Sequence, residues 1–127
     1  MFISVFAQDR FWEKIVPIID ATADRNTHKM MTSVLAFSEC AVRPYKEGNW
    51  AALDQVKLMF QMPNLFVYPV NEVVAEEAAR LRAVYNFKTP DAIIVATAII
   101  YNADVFLTND HRLTIVKEIP VVKLDEL

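Results

Sequence analysis

The sequence predicts one α/β domain in three layers, a parallel sheet with helices on both sides. Three observations lead there. Short apolar runs rich in Val, Ile and Phe alternate with longer helix-like segments along the chain, the order that builds parallel strands with helical crossovers. With 54% hydrophobic and 23% charged residues, the chain can bury a core and is not disordered. At 127 residues it has the size of a single domain, and no linker, repeat or low-complexity tract divides it.

The elements follow in order. Apolar positions from Phe11 to Ala23 have helical spacing, with Pro17 expected to kink or divide the helix. His28 to Thr32 is a strand, and Thr32 or Ser33 can cap the helix from Val34 to Tyr45, which Arg43-Pro44 should disturb near its end. Asn49 caps a helix from Trp50 to Gln61 that places Trp50, Leu53, Val56 and Phe60 on one face, where Trp12 and Trp50 are expected in the core. Leu65 to Val70 is a strand, with Pro69 marking an edge or an end. Asn71 caps a helix running through Val84, and a turn follows at 86–89.

Thr89-Pro90-Asp91 opens the next helix, with a capping hydroxyl, a proline at the first helical position and an acid in the first turn. This helix, to Tyr101, is apolar almost all round and should be buried. Asp104 to Thr108 and Pro120 to Leu124 are the last strands.

Several function classes drop out. One glycine, Gly48, leaves no phosphate loop and no dinucleotide fingerprint. No Cys/His spacing suits zinc. A lone Cys40 makes no internal disulfide, and the opening residues make a poor signal peptide, so a cytoplasmic setting is expected. No apolar stretch is long enough to cross a bilayer. The net charge of −3 gives no electrostatic argument for a nucleic-acid partner.

Ligand sites of parallel α/β sheets lie beyond the carboxyl ends of the strands, and that rule turns spacing into chemistry. Asp110 follows strand 104–108 by two residues. The two-residue link Asn102-Ala103 forces the preceding helix to run antiparallel to that strand. Twelve helical residues span about 18 Å and five strand residues about 17 Å, so Asp91 returns to the level of Asp110. Glu39, in the helix leaving the carboxyl end of strand 28–32, belongs to the same rim. Three carboxylates this close repel unless a cation is shared, and all-oxygen ligation selects Mg²⁺ or Mn²⁺. Metal-assisted phosphodiester hydrolysis is the matching chemistry.

Each acid has a plainer use. Asp91 could be a helix-start acid, Asp110 a turn former, and Glu39 a partner for Arg43. Glu72, Glu76 and Glu77 read as a solvated face. Arg80, Arg82, Lys88 and Arg112 are the cations nearest the rim, available to phosphates or to local acids.

The segment L-R-x-x-Y-x-F-K-T-P-D-A-I-I-V-A-T-A followed by V-F-L-T-N-D, with T-S-V-L-A-F-S-E-C upstream, resembles the PIN-domain family, which includes the VapC-type toxins of toxin–antitoxin pairs. The closing Pro120-Val121-Val122 strand also fits, so the likeness covers nearly the whole chain. It implies a Mg²⁺-dependent ribonuclease. Glu39, Asp91 and Asp110 match the second, third and fourth acids, and Thr108 a hydroxyl that supports the site. It also implies an RNA substrate and an antitoxin protein as partner; a homodimer is expected as well, with Trp12 or Trp50 as its face should they be exposed rather than in the core.

One departure stands at the start. Family members open with a hydrophobic strand ending in Asp, and that strand and its Asp are missing before Met1. The chain is therefore expected to start late and to lack its first central strand, unless residues 2–6 substitute for it with Asp9 as the carboxylate. The competing class is a non-catalytic RNA- or protein-binding module with a weakened acid set. A nucleophilic enzyme using Cys40 with His28 or His111 is a third class, and the helix pattern argues against it, since Cys40 reads there as an ordinary small apolar residue.

Overall fold

A computed structural model describes residues 1–6, 14–17 and 28–126. Its centre is a five-stranded sheet in the order β3-β2-β1-β4-β5, built from β1 (Phe2–Phe6), β2 (Lys29–Ser33), β3 (Leu65–Tyr68), β4 (Val105–Thr108) and β5 (Val121–Lys123). Every neighbouring pair is parallel. The helices are α1 (Val34–Glu47), α2 (Trp50–Met59), α3 (Glu72–Tyr85) and α4 (Thr89–Ile100), and a 3-10 turn, His111–Ile115, follows β4. Helices α3 and α4 pack together, and α4 also meets β2 and α1. No helix among the described residues is long and apolar enough to cross a membrane.

The gap expected in the sheet is absent. Phe2–Phe6 is the central strand, paired on one side with β2 from Phe2 opposite Lys29 and on the other with β4 through Phe6 opposite Thr108. The physical reason lies in the residues themselves. Phe-Ile-Ser-Val-Phe is β-branched and aromatic, and Ser4, Val5 and Phe6 are buried completely or nearly so, as a strand covered on both faces requires. Asp104 ties the strand's start, its carboxylate accepting from the Phe2 N–H at 2.7 Å. The expected early helix is represented by helical residues 14–17, and the rest of it, with Trp12 and Asp9, falls outside the described residues.

Local chemistry sets the other boundaries. Ser33 caps α1, its hydroxyl accepting from the Leu35 N–H at 3.1 Å. The helix runs through Pro44, which is buried, and stops a turn later at Gly48, whose φ of 64° is the left-handed ending that glycine tolerates best. The missing proline N–H costs α1 one hydrogen bond without breaking it. Asn49 and Asn71 cap α2 and α3 with side-chain bonds to the Ala52 and Val74 N–H groups. Trp50 departs from expectation: it is 60% exposed, edge-on to Tyr45, while Leu53 on the same helix is buried. Thr89 is not a cap either. Helix α4 starts one residue earlier than a Thr89 cap would allow, with Lys88 at the N-cap and no side-chain bond there.

The core is continuous from Val5 and Met30 in the sheet to Ala92, Ile94, Val95 and Ala98 of α4. Within it the Thr32 hydroxyl is fully buried with no hydrogen-bond partner among the described residues. An orphaned buried hydroxyl costs stability that an isosteric methyl does not. Thr32→Val is expected to stabilise the fold by about 1 kcal/mol, whereas Ser33→Ala, which loses a used cap, costs about 1 kcal/mol. Chemical denaturation of the two variants checks the contrast.

Candidate metal centre at the carboxyl end of β4

The strand order reverses direction between β1 and β4: β2 and β3 extend to one side of β1, β4 and β5 to the other. A crevice opens at such a point, beyond the carboxyl ends of the two strands. Thr108 is the last residue of β4, and Asp110 stands two residues further on. The fully buried Thr108 hydroxyl accepts from the Asp110 N–H at 3.1 Å, which fixes the turn. Asp110 then caps the 3-10 turn through its own Oδ1, which accepts from the Arg112 N–H at 2.9 Å.

Asp91 reaches the same place from α4. A turn at Asn102, left-handed at φ 59°, sends the chain from the end of α4 back into β4. The first turn of the helix therefore lies over the carboxyl end of the strand. Asp91 and Asp110 are each only 8% exposed, and one side chain bridges them. The Arg112 guanidinium grips Asp110 with two bonds, Nε to Oδ1 at 3.0 Å and Nη2 to Oδ2 at 2.6 Å. The same Nη2 lies 3.5 Å from Asp91 Oδ2.

The two carboxylates are not equivalent. Burial raises the Asp91 carboxyl above its ordinary range, and the Asp110 charge adds to this against the pull of Arg112 and Lys88. Asp110 is held below its ordinary range by the Arg112 hydrogen bond, which outweighs burial. One acid is thus well compensated and the other poorly.

Glu39 is placed differently from the expectation. It stands on an exposed part of α1 and lines a groove of about 710 Å³ together with Val16, Cys40, Arg43 and Met59, a lining that contains neither Asp91 nor Asp110. Among the described residues no group of three or more acidic, His or Cys side chains is gathered to hold a metal ion. The structure therefore assembles a pair of acids where the spacing anticipated three. Glu39 sits on a solvent-facing part of α1, the helix that leaves β2.

The other candidates are accounted for in part. Arg80 pairs with Glu77 and Glu118, and Arg82 Nε donates to the Phe87 carbonyl at 3.3 Å. Arg43 pairs with Glu47 at 2.6 Å. Cys40 lines a groove whose lining includes neither His28 nor His111, and His111 Nδ1 stands 3.1 Å from Lys123 Nζ. Arg112 is the residue whose full part spacing could not give. An Asp-x-Arg step is visible in the sequence, but the reach of the guanidinium to a second acid 21 positions earlier depends on the antiparallel return of α4.

Fold and site together define a parallel α/β domain with a buried acid pair at the point where its strand order turns back. The chain belongs to the PIN-domain family, whose model matches residues 1–119. Among solved structures it is similar to VapBC2 from Rickettsia felis, bound to a DNA fragment from the promoter, with a TM-score of 0.73 at 13% identity over 98% of this chain and 100% of that one. A toxin–antitoxin complex from Klebsiella pneumoniae gives a TM-score of 0.62 at 18% identity, over 93% and 95% of the two chains. A protein from Pyrobaculum aerophilum gives 0.66 at 16%, over 99% and 94%. At these identities the likeness is one of fold. No match was found among curated proteins.

Proposed function

We propose that this PIN-domain protein is a metal-dependent endoribonuclease and the toxin of a toxin–antitoxin pair. In this reading it acts in the cytoplasm as a homodimer and is held in check by an antitoxin protein. The observation that carries the nuclease reading is the Asp91–Asp110 pair, two buried carboxylates meeting around a single cation at the crevice of the sheet.

The donor set fits a hard divalent ion. Its two acids, Asp91 and Asp110, offer carboxylate oxygens, and Mg²⁺ is commonly held by one or two carboxylates with water completing its shell. Asp91, poorly compensated as it stands, is the acid that gains most from such an ion. When bound, the ion supplies Lewis acidity that activates water and offsets charge developing on a phosphodiester. The protein's own contribution is positioning. Asp91 is carried by the first turn of α4, and Asp110 is locked by Thr108 and the 3-10 turn. RNA as substrate, and the antitoxin as partner, rest on the family and on the toxin–antitoxin complexes whose fold this chain shares.

The test is cleavage of RNA by the purified chain. Mg²⁺ or Mn²⁺ is expected to support endonucleolytic cuts that a chelator abolishes, with DNA of the same sequence left intact. Metal-independent cleavage, or none under any metal, defeats the reading. A second reading has its own supporting observation: with Arg112 seated between the acids and no third acid gathered among the described residues, the domain could bind RNA or protein without cutting it. Metal-insensitive RNA binding without cleavage is its signature.

A further inference from the structure

We infer that Arg112 is a built-in counter-cation of the acid pair, so that a divalent ion enters only by exchange with its guanidinium. The inference rests on the nuclease reading and adds how that site is regulated.

Geometry carries it. Arg112 Nη2 lies near both carboxylates, 2.6 Å from Asp110 Oδ2 and 3.5 Å from Asp91 Oδ2. An ion held by both Asp91 Oδ2 and Asp110 Oδ2 would compete with Nη2 for the space beside those oxygens. Magnesium–oxygen contacts of about 2.1 Å leave no room for a nitrogen in the same gap. The Asp110 Oδ1 atom is already committed to the Arg112 N–H and Nε. Ion and guanidinium therefore exclude each other.

The exchange is also feasible. The Arg112 side chain is 57% exposed, while the side chains of Asp91 and Asp110 are 11% and 7% exposed. The cation can swing into water without disturbing the core, whereas the acids stay where α4 and β4 put them. Exposed ion pairs of this kind are weak, and the fork geometry makes this one stronger than most. A doubly charged ion at sufficient concentration displaces it, and at low concentration the guanidinium keeps the pair closed. The backbone N–H bond from residue 112 to Asp110 survives any substitution except proline, so the turn keeps its shape when the side chain changes.

The experiment uses the whole chain and Mn²⁺ as the probe, with bound ion read by electron paramagnetic resonance and by the shift in melting temperature. Arg112→Gln, which keeps length and polarity but loses the charge, is expected to bind Mn²⁺ at least fivefold more tightly than wild type. It should also melt lower than wild type in chelator and gain more from added Mn²⁺. Arg112→Lys, a cation without the fork, should fall between them. Equal or weaker Mn²⁺ binding by Arg112→Gln, with wild-type binding intact, overturns the exchange and leaves the nuclease reading standing. Mn²⁺ binding by neither protein overturns both.

Discussion

Asp91→Asn and Asp110→Asn are each expected to reduce metal-dependent RNA cleavage at least a hundredfold, yet to shift the stability of the metal-free protein in opposite directions. Under the proposed nuclease function, the loss of activity follows from removing one of the two carboxylates that would hold the ion. About 3 kcal/mol of transition-state stabilisation corresponds to a hundredfold or more in rate. The stability signs follow from the environments. The folded state raises the Asp91 carboxyl above its unfolded value, so it binds a proton more readily than the unfolded chain does. The ionised Asp91 therefore costs nothing below the ordinary carboxylate range of about 4 and costs progressively more as pH rises through its raised value. Asn carries no such cost, so Asp91→Asn gains on wild type between acid and neutral pH.

Asp110 runs the other way. Its folded value is depressed by Arg112, so its contribution is present above the ordinary carboxylate range and is lost as pH falls through the depressed value. Asp110→Asn is therefore less stable than wild type at neutral pH, and the difference closes in acid. Urea melts of the three proteins in chelator, repeated from pH 3 to 7, read both signs at once. Two variants with the same sign would mean that the acids are not divided into a compensated and an uncompensated member.

Phe106→Ala is expected to destabilise the fold by about 3–5 kcal/mol, the range for a large buried aromatic. Phe106 is the largest fully buried side chain among the described residues, in β4 between the central strand and β5. Its neighbours Ser4 on β1 and Val121 on β5 are too small to fill the space it would leave. Because β4 delivers Thr108 and Asp110, the loss should appear in the site as well as in the melt. A cost below about 1 kcal/mol would mean that β4 is not packed as described.

Much of this arrangement is legible in the sequence, for reasons that can be stated residue by residue. Asn49 and Asn71 announce their helices because a side-chain oxygen there meets a free N–H whatever the tertiary context. The meeting of Asp91 with Asp110 is readable because the short link after α4 leaves one direction of return and the lengths of helix and strand match. Other features depend on partners that spacing does not show. Phe2–Phe6 has clear strand chemistry, but its place at the centre follows from which strands lie beside it. The resemblance, taken to mean that a strand was missing before Met1, pointed the other way. Trp50 shares a helical face with Leu53, yet α2 turns only part of that face inward. Thr89 has capping chemistry, but the extended backbone of Lys88 takes the N-cap position first. Glu39 lies on the expected helix, and its exposed setting was not set by sequence distance.

A titration of Mn²⁺ against wild type, Asp91→Asn, Asp110→Asn and the double variant bears most directly on whether the two acids hold one ion between them. Both single variants should lose nearly all binding, and the double variant should be no worse than either. Full binding retained by either single variant would contradict it, since the carboxylate removed would then have had no share in the site.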